Sequence, residues 1–423
     1  SIREDLSWLE CPPVGEVTQS TRLDIYYQYV EDLLKKGKAY VCTCNPENFR
    51  KCVTSSAACP CRDLSTEASL DRWGRMLDGD YAEGAAVVRV KADLTHPNPA
   101  VRDWPALRIV DVEKSPHPLV GAKCRVWPLY NFSAGIDDHL MGISHIIRGK
   151  EHLTNEVRQR FLYAHLGWDY PDAIHYGRLK IAGAELSKSK IKLGVEQGLY
   201  SNYDDLRLPT FSALRRRGIT PQAIRRMMID VGINPNDVTL SLETLYTYNR
   251  RIIDPTAKRF FFISNPITLR IRSVEKPYAA TPNLHPGHPE WGKRRIELTP
   301  KDGYAEVLIS REDLSLASPN TLLRLMGLFN IKVIKASEDH VEAVYHSESY
   351  EEAKRENARL IQFLPAQAGL PASVRMPTGE VLSGLAEDQC RELRVDEIIQ
   401  FERFGFVKVE TVHGQIVACF AHK

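Results

Sequence analysis

The sequence predicts an α/β part followed by an all-β part. In the first part, short apolar runs alternate with apolar stripes at helical spacing, which is typical of a parallel α/β sheet. After Asp254-Pro255 the pattern changes to short strands broken by Pro and Gly, which favours a barrel-like all-β fold. A cluster of cysteines near the start of the chain adds a candidate metal site.

The elements of the α/β part follow from these spacings. Apolar residues recur at helical spacing between Arg22 and Leu34, and Gly37 supplies a stop. Thr220 followed by Pro221 predicts a helix start, since Thr caps the first turn and Pro needs no N–H partner there. The other predicted elements are strands at 86–90, 146–147 and 173–176, a helix whose apolar stripe ends at Leu166, and helical structure over 209–231.

In the all-β part, the alternation of apolar and polar residues at 407–410 predicts a strand. His413-Gly414 then predicts a turn, and residues 416–419 predict the next strand.

The composition excludes some classes of protein without selecting one. The net charge is only +2, from 56 basic and 54 acidic residues, so a polyanion partner has to be argued from local clusters. No apolar run approaches the roughly 18 residues of a membrane span, and residues 1–5 do not resemble a signal peptide. We therefore expect a cytoplasmic protein that does not enter a membrane.

Four of the nine cysteines form two C-x-C clips, Cys42 with Cys44 and Cys59 with Cys61. Four thiolates can surround Zn²⁺ tetrahedrally and leave no position open for water, so we predict a structural zinc site in a reducing compartment. Because C-x-x-C is the more usual clip, a set of reduced thiols is the alternative, and Cys52 could replace one ligand.

A run of hydroxyl and ammonium groups, Leu186-Ser187-Lys188-Ser189-Lys190, follows a predicted strand. We predict a loop here, and such groups suit the charge on phosphates during transfer. Taken alone, a run of this kind is more often a solvated surface loop.

With its neighbours, this run resembles the second signature (KMSKS) of class I aminoacyl-tRNA synthetases, in the form of the glutamyl/glutaminyl branch. The further matching segments are WPLYNF (127–132), DDHLMG (137–142), SHIIRGKEH (144–152), DLRLPT (205–210), ALRRRGI (213–219) and QFERFGF (400–406). The resemblance runs nearly end to end and is closest to archaeal-type glutamyl-tRNA synthetases. It implies ATP-dependent attachment of glutamate to tRNA(Glu) through a glutamyl-adenylate.

The resemblance also implies a fold and its divisions. Residues 1–38 and 126–200 would form the second half of a Rossmann-type catalytic domain, incomplete in this sequence. Residues 39–125 would be an acceptor-binding insertion with zinc, 201–255 a helical region that contacts the tRNA stem, and 256–423 anticodon-binding β-barrels. No HIGH-like stretch occurs in the sequence. We therefore expect a preceding segment to carry that motif and expect the chain to be inactive without it.

Arg148 would face the side-chain carboxylate of glutamate, because a guanidinium offers bidentate, charge-assisted recognition. Tyr130 would line the same pocket. Without the resemblance, Arg148 would be read as part of a structural ion pair and Tyr130 as a core aromatic. Asp137 and Asp138 match the family, but we expect them to be capping or surface residues without chemistry.

Glu151, Arg178 and Leu179 resemble residues near the adenine and ribose of ATP, with Leu179 acting through its backbone. Lys188 would stabilise the phosphates during adenylate formation, flanked by Ser187 and Ser189, with Mg²⁺ assistance. One departure from the signature is that Glu185 stands where KMSKS begins with Lys.

Clusters of arginines are candidate contacts for tRNA phosphates. We predict contacts from Arg215, Arg216, Arg217, Arg250 and Arg251. Further basic clusters lie at 225–226, 258–259 and 293–295. Any one of them alone is more often solvated surface.

Two alternatives stay open at this stage. A glutaminyl-tRNA synthetase shares much of the pattern, although Arg148 and the cysteine clips argue against it. The other is a non-catalytic, zinc-stabilised tRNA-binding fragment. The use of tRNA(Gln) as a second substrate is also open, and we expect a monomer by likeness to the family.

Overall fold

The structure is a computed structural model that describes residues 2–423, so the first residue of the predicted catalytic domain lies outside the described residues. The chain forms two compact units. Residues 13–179 and 233–238 make up the N-terminal unit, and residues 2–12, 180–232 and 239–423 make up the C-terminal unit. No helix within residues 2–423 is both long and apolar enough to cross a membrane.

Helices and strands are numbered in chain order, and the first helix, α1 (Ile2–Trp8), belongs to the C-terminal unit. The elements of the N-terminal unit are α2 (Leu23–Lys35), β1 (Ala39–Cys42), α3 (Pro46–Thr54), α4 (Thr66–Asp78), β2 (Val87–Val90), β3 (Pro105–Ile109), β4 (Val126–Pro128), α5 (Tyr130–Leu140), β5 (His145–Gly149), α6 (Leu153–Leu166) and β6 (Asp172–Tyr176). Helix α2 confirms the helix predicted between Arg22 and Leu34. The predicted strand near residue 87 and the predicted strand–helix–strand segment that ends at β6 are also confirmed.

Strands β1 to β4 form an antiparallel sheet in that order. Val41 pairs with Val88, and Val88 pairs with Leu107, so these apolar side chains are stacked across three strands. Helix α2 contributes the opposite layer, since its buried face includes Val30 and Leu33. This layer supports the segment that carries the cysteines.

Strands β5 and β6 pair in parallel, with helix α6 as their connection. Parallel neighbours need such a crossover, so one βαβ unit of the predicted α/β sheet is confirmed. Helix α6 ends at Gly167, whose φ of 77° is a left-handed value that glycine adopts without strain. The register places Arg148 of β5 opposite His175 of β6.

The helical part of the C-terminal unit surrounds a small apolar core. Its elements, together with the two strands β7 and β8 in which the chain passes from one unit to the other, are β7 (Leu179–Ile181), α7 (Lys188–Glu196), α8 (Phe211–Arg217), α9 (Pro221–Val231), β8 (Val238–Leu240) and α10 (Leu242–Ile253). The predicted helix start is confirmed: the Thr220 hydroxyl accepts the Ala223 N–H at 3.3 Å, and Pro221 is the first residue of α9.

The rest of the C-terminal unit is almost entirely β-structure, as predicted. Its elements are β9 (Arg259–Phe260), β10 (Phe262–Ser264), β11 (Pro266–Arg272), β12 (Tyr278–Ala280), β13 (Ile296–Leu298), β14 (Tyr304–Ser310), β15 (Leu322–Leu325), β16 (Asn330–Ala336), β17 (His340–Ser347), α11 (Tyr350–Arg355), β18 (Arg359–Ile361), β19 (Leu364–Pro365), β20 (Leu370–Arg375), β21 (Val381–Ala386), β22 (Ile398–Phe401), β23 (Gly405–Val412) and β24 (Ile416–His422).

Fourteen of these strands form two seven-stranded sheets, each with its own apolar core, and β12 pairs with β13 in a separate two-stranded sheet. The order is β18-β15-β16-β17-β11-β14-β19 in one sheet and β10-β21-β20-β24-β23-β22-β9 in the other. Each order ends at two separate edge strands, so the described pairs make half-barrels rather than the β-barrels that we predicted. The edge strands β9, β10, β18 and β19 have only two or three residues each. The predicted division into four regions is finer than the two units and stays a prediction.

Candidate active site and metal centre

The sulfur atoms of Cys42, Cys44, Cys59 and Cys61 all lie within 4.8 Å of one another. The Sγ–Sγ distance is 3.9 Å between Cys42 and Cys59 and 3.6 Å between Cys44 and Cys61. Sulfur atoms about 2.3 Å from a tetrahedral zinc ion are about 3.8 Å apart. Both predicted clips therefore contribute to a group that fits zinc.

The thiols of this group differ in acidity. Burial raises the pKa of Cys44, with a further increase from Cys61. Burial also raises the pKa of Cys61, but hydrogen bonds from the Thr43 backbone and from Arg72 outweigh it and lower that pKa to about 7. Cys61 therefore becomes a thiolate more readily than Cys44 does. Cys52, the predicted substitute ligand, lies on α3 and is not a member of the group of four.

Arg148 on β5 is only 7% exposed, and its guanidinium contacts neutral oxygen atoms. Its Nη2 donates to Gln159 Oε1 at 2.9 Å and to the Tyr170 hydroxyl at 2.6 Å. Its Nη1 lies 3.5 Å from the Tyr130 hydroxyl, and its Nε is buried without a hydrogen-bond partner. Within the described part of the chain, no carboxylate comes within the 4.0 Å of an ion pair with Arg148.

A buried charge is normally paired, because leaving an ion unpaired away from water costs several kcal/mol. Neither Arg148 nor Arg217 makes an ion pair among residues 2–423. Arg148 differs because it lies beside the exposed Tyr130, so its surroundings suit an anion that comes from outside the chain. Tyr130, the first residue of α5, is 48% exposed, and its hydroxyl can therefore meet the same ligand. The structure thus brings the two predicted glutamate-binding residues together.

The two aspartates at 137–138 differ from each other. Asp137 is a buried acceptor that ties the start of α2 to α5, so our expectation of a capping or surface role was wrong for it. Its donors are Gln19 Nε2 at 3.0 Å, Arg22 Nε at 3.0 Å and Tyr26 OH at 2.6 Å. Asp138 is half-buried, and burial raises its pKa above the ordinary value although the positive charge of Arg148 opposes the increase.

The residues predicted to meet the nucleoside of ATP are exposed in the N-terminal unit. Glu151 lies in a single turn after β5, and Leu179 begins β7. The Arg178 N–H donates to Asp237 Oδ1 at 3.0 Å, which fixes the backbone while the side chain points to solvent. A Cβ at Gly177 would lie 2.0 Å from a carbonyl oxygen, so only glycine fits this close approach.

The prediction of a loop at 186–190 is wrong from Lys188 onward, because Lys188 begins helix α7. Ile191 packs into the core and thereby fixes the helix, a contact that the polar run concealed. Ahead of the helix, Glu185 accepts the Ser187 N–H at 2.8 Å and pairs with Lys190 at 2.8 Å. Lys188 and Ser189 therefore lie in the first turn, where the helix dipole and unpaired N–H groups favour an anion.

The arginines predicted to contact tRNA fall into two groups. Arg217 is 3% exposed and donates to the carbonyl oxygens of Phe420 at 3.1 Å and Ala421 at 2.6 Å, so it is not accessible to a phosphate. Arg216 is half-buried and pairs with Glu410 at 2.6 Å. The remaining three are Arg215, which is partly exposed, and Arg250 and Arg251, which are exposed.

Comparison with protein families accounts for nearly the whole chain. The catalytic domain of class I tRNA synthetases (E and Q) matches residues 1–255, and the anticodon-binding domain of the same enzymes matches residues 257–348 and 360–410. The chain belongs to this family of class I synthetases.

Curated relatives of this class I synthetase include glutamate–tRNA ligases. The glutamate–tRNA ligases of Pyrococcus horikoshii, Pyrococcus abyssi and Methanopyrus kandleri are 48%, 47% and 42% identical to it, and each alignment covers 100% of this chain and 73% of the relative. A crystal structure of a glutamate tRNA ligase from Elizabethkingia meningosepticum aligns at 19% identity with a TM-score of 0.40, over 60% of this chain and 59% of that one. The predicted resemblance to archaeal-type glutamyl enzymes is confirmed.

Sequence reasoning missed two residues of this synthetase that contact Arg148. Gln159 is fully buried and Tyr170 is largely buried, yet neither lies in a signature segment. A signal for Gln159 was present: it lies three and seven residues before Leu162 and Leu166, on the apolar stripe of α6. A polar residue on such a stripe needs a buried partner.

Proposed function

We propose that this class I synthetase is a glutamate–tRNA ligase. The glutamate α-carboxylate attacks the α-phosphate of ATP and gives glutamyl-adenylate and pyrophosphate. The terminal ribose hydroxyl of tRNA then takes the glutamyl group and releases AMP. The observation that carries the choice of glutamate is Arg148, a buried cation whose hydrogen-bond partners among residues 2–423 are neutral oxygens.

In this proposal, Arg148 binds the side-chain carboxylate of glutamate with help from the Tyr130 hydroxyl. Glutamine would put a neutral amide against the guanidinium and leave its charge unpaired. Such a mismatch costs a few kcal/mol, since hydrogen bonds to charged groups are worth roughly 1.5–3 kcal/mol. That energy corresponds to about ten- to hundredfold discrimination.

We assign the candidate ATP-binding residues of each unit by themselves. Glu151, Arg178 and the Leu179 backbone would meet the ribose and adenine. Lys188, with Ser187 and Ser189, would stabilise charge on the phosphates, because a cation in the first turn of α7 adds to the helix dipole there. The Mg²⁺ that accompanies ATP would neutralise part of the phosphate charge, and we assign no protein ligand to it.

Zinc would be bound by Cys42, Cys44, Cys59 and Cys61 in a structural role, since four protein ligands leave no position for substrate. We expect about one zinc per chain by elemental analysis, with loss of zinc and a lower melting temperature in Cys44→Ser. Cys11→Ser is the matched control, because this exposed thiol lies outside the group. Equal zinc content in both variants would contradict the assignment.

The partner is tRNA(Glu), and we propose tRNA(Gln) as a second substrate by likeness to archaeal-type enzymes. The insertion at 39–125 would meet the acceptor stem, residues 201–255 the inner stem, and the half-barrels of 256–423 the anticodon. Arg215, Arg250 and Arg251 remain the candidate phosphate contacts. We propose a monomer in the cytoplasm.

Charging of tRNA tests the proposal directly. The full-length protein is incubated with total tRNA, ATP and Mg²⁺ together with labelled glutamate or labelled glutamine, and acylated tRNA is measured. Glutamate charging is the expected result. Glutamine charging would instead indicate a glutaminyl-tRNA synthetase, and tRNA binding without charging would indicate a binding protein. Purified tRNA(Gln) then tests the second substrate.

A further inference from the structure

We propose that Gln159 and Tyr170 are positioning residues that hold Arg148 by uncharged hydrogen bonds and so leave its positive charge for the substrate. The proposal rests on the assignment of Arg148 to the glutamate side chain. It adds that glutamate specificity depends on the neutrality of the groups around Arg148 as well as on Arg148 itself.

Three side chains form a closed set of hydrogen bonds. Arg148 Nη2 donates to both Gln159 Oε1 and the Tyr170 hydroxyl, and that hydroxyl donates to Gln159 Oε1 at 2.9 Å. Gln159 Nε2 in turn donates to the Asn131 carbonyl at 3.3 Å. Because Asn131 lies on α5, Gln159 on α6 and Arg148 on β5, the set fixes the guanidinium relative to three elements.

The orientation of each partner is itself restrained. Gln159 is completely buried, and the Tyr170 ring packs against Tyr163 at 4.9 Å between ring centres. The guanidinium of Arg160 lies 4.6 Å from the Tyr170 ring centre. Because this packing restricts the rotation of Gln159 and Tyr170, their hydrogen bonds favour one rotamer of Arg148.

The neutrality of this set matters because a carboxylate in the same place would form an ion pair with Arg148. Glutamate at position 159 keeps an acceptor oxygen but adds a negative charge 2.9 Å from Arg148 Nη2. A buried ion pair of this kind neutralises the charge of the guanidinium. The carboxylate of the substrate would then be repelled by the carboxylate at position 159. Two acidic residues already lie in this region. Asp138 is half-buried and makes no ion pair among residues 2–423, and Glu156 is engaged by Arg160 and His175.

The test compares Gln159→Glu with Gln159→Leu. If neutrality is what counts, Gln159→Glu raises KM for glutamate by about 10- to 100-fold, with KM for ATP and kcat within about twofold of the wild type. Gln159→Leu keeps the charge available and raises KM for glutamate less than Gln159→Glu does. A purely structural role predicts the opposite order, because Leu loses every hydrogen bond of Gln159 while Glu keeps the acceptor. That opposite order would overturn the proposal.

Tyr170 is tested by removing its hydroxyl alone. Tyr170→Phe is expected to raise KM for glutamate by roughly 10-fold, since it removes the 2.6 Å hydrogen bond to Arg148. Tyr163→Phe is the matched control: this neighbouring tyrosine packs against Tyr170 and is more buried, but its hydroxyl donates to the Gly135 carbonyl at 2.9 Å. Equal KM values for glutamate in the two variants would overturn the role of Tyr170. Thermal unfolding of each variant shows that it is folded.

Arg148→Leu separates failure of this inference from failure of the proposed function. If Arg148→Leu retains the wild-type preference for glutamate, then the assignment of Arg148 fails and the inference fails with it. If Arg148→Leu loses that preference while Gln159→Glu keeps a wild-type KM for glutamate, only the inference fails.

Discussion

Two buried arginines, one in each unit, differ in the charge of the groups that they contact. Arg294 of the C-terminal unit is 1% exposed and forms ion pairs with Glu387 and Glu402. Arg148 of the N-terminal unit is 7% exposed, and its hydrogen-bond acceptors within residues 2–423 are uncharged oxygens. Burial alone therefore does not reveal the role of a charge.

The difference lies in where the compensating charge comes from. The carboxylates around Arg294 belong to the chain, so this charge contributes to the fold of the unit that holds it. Among residues 2–423, Arg148 forms no ion pair, and the half-buried Asp138 is the nearby carboxyl that feels its charge. This lack of a direct partner costs stability and creates affinity for an external anion. Variants of these two residues should consequently affect different properties.

The largest effect is expected for Arg294→Leu. Removal of this guanidinium leaves the buried Glu387 and the partly buried Glu402 without an ion-pair partner, so the free energy of unfolding of the C-terminal unit should fall by about 3–5 kcal/mol. Urea unfolding followed by tryptophan fluorescence measures it. Arg295→Leu is the control, because Arg295 and its partner Glu297 are exposed and such pairs are worth about 1 kcal/mol or less. A similar small loss in both variants would remove the contrast with Arg148.

A second effect depends on pH. Burial raises the pKa of Glu387 to about 7, an increase that Arg294 opposes. Since the ordinary value is 4.5, the folded protein binds this proton more tightly than the unfolded chain. The stabilisation is complete below pH 4.5 and is lost as the pH rises through about 7, with a total of no more than about 3 kcal/mol.

Glu387→Gln tests this pH dependence, because the amide stays neutral throughout. Urea midpoints between pH 5 and pH 8 should decline less steeply in Glu387→Gln than in the wild type. Parallel profiles would mean that Glu387 has the same pKa in the folded and unfolded chain.

A smaller change in stability is expected for Arg148→Leu. The variant loses hydrogen bonds to neutral partners but also removes an unpaired buried charge, so the two terms offset each other. The free energy of unfolding should stay within about 1 kcal/mol of the wild type, measured in the same urea experiment. A loss as large as that of Arg294→Leu would show that Arg148 is a structural residue.

The smallest effect concerns an arginine with an exposed side chain. Arg250→Ala should weaken tRNA binding a few-fold and reduce the slope of log Kd against log salt concentration by about 1, because one phosphate contact is lost. Arg217→Ala should leave this slope unchanged and lower stability instead, since Arg217 donates to buried backbone carbonyls. An unchanged slope in Arg250→Ala would exclude this contact.

The fold was largely predictable where local periodicity decides it. The βαβ unit of β5, α6 and β6 and the capped start of α9 follow from apolar spacing and from Thr220-Pro221. The half-barrels were predicted only as barrels, because whether edge strands meet depends on their lengths and on long-range pairing. The start of α7 was missed because Ile191, which packs it into the core, is followed and preceded by polar residues.

The roles of the arginines were less predictable. Three consecutive arginines at 215–217 read as one basic surface, but successive helix residues point about 100° apart, and Arg217 faces inward. At 293–295 the strand-like alternation buries Arg294 and exposes both of its neighbours. Arg148 was assigned from its signature segment, whereas Gln159 and Tyr170 lie 11 and 22 residues further along the chain and are brought to it only by the fold.

The most direct test of the account is the ratio of kcat/KM for glutamate to kcat/KM for glutamine in tRNA charging by the wild type and by Arg148→Leu. The account predicts strong preference for glutamate in the wild type and loss of that preference by roughly 10- to 100-fold or more in the variant. An unchanged ratio in a folded variant would show that another group recognises the glutamate side chain, and would contradict the central claim.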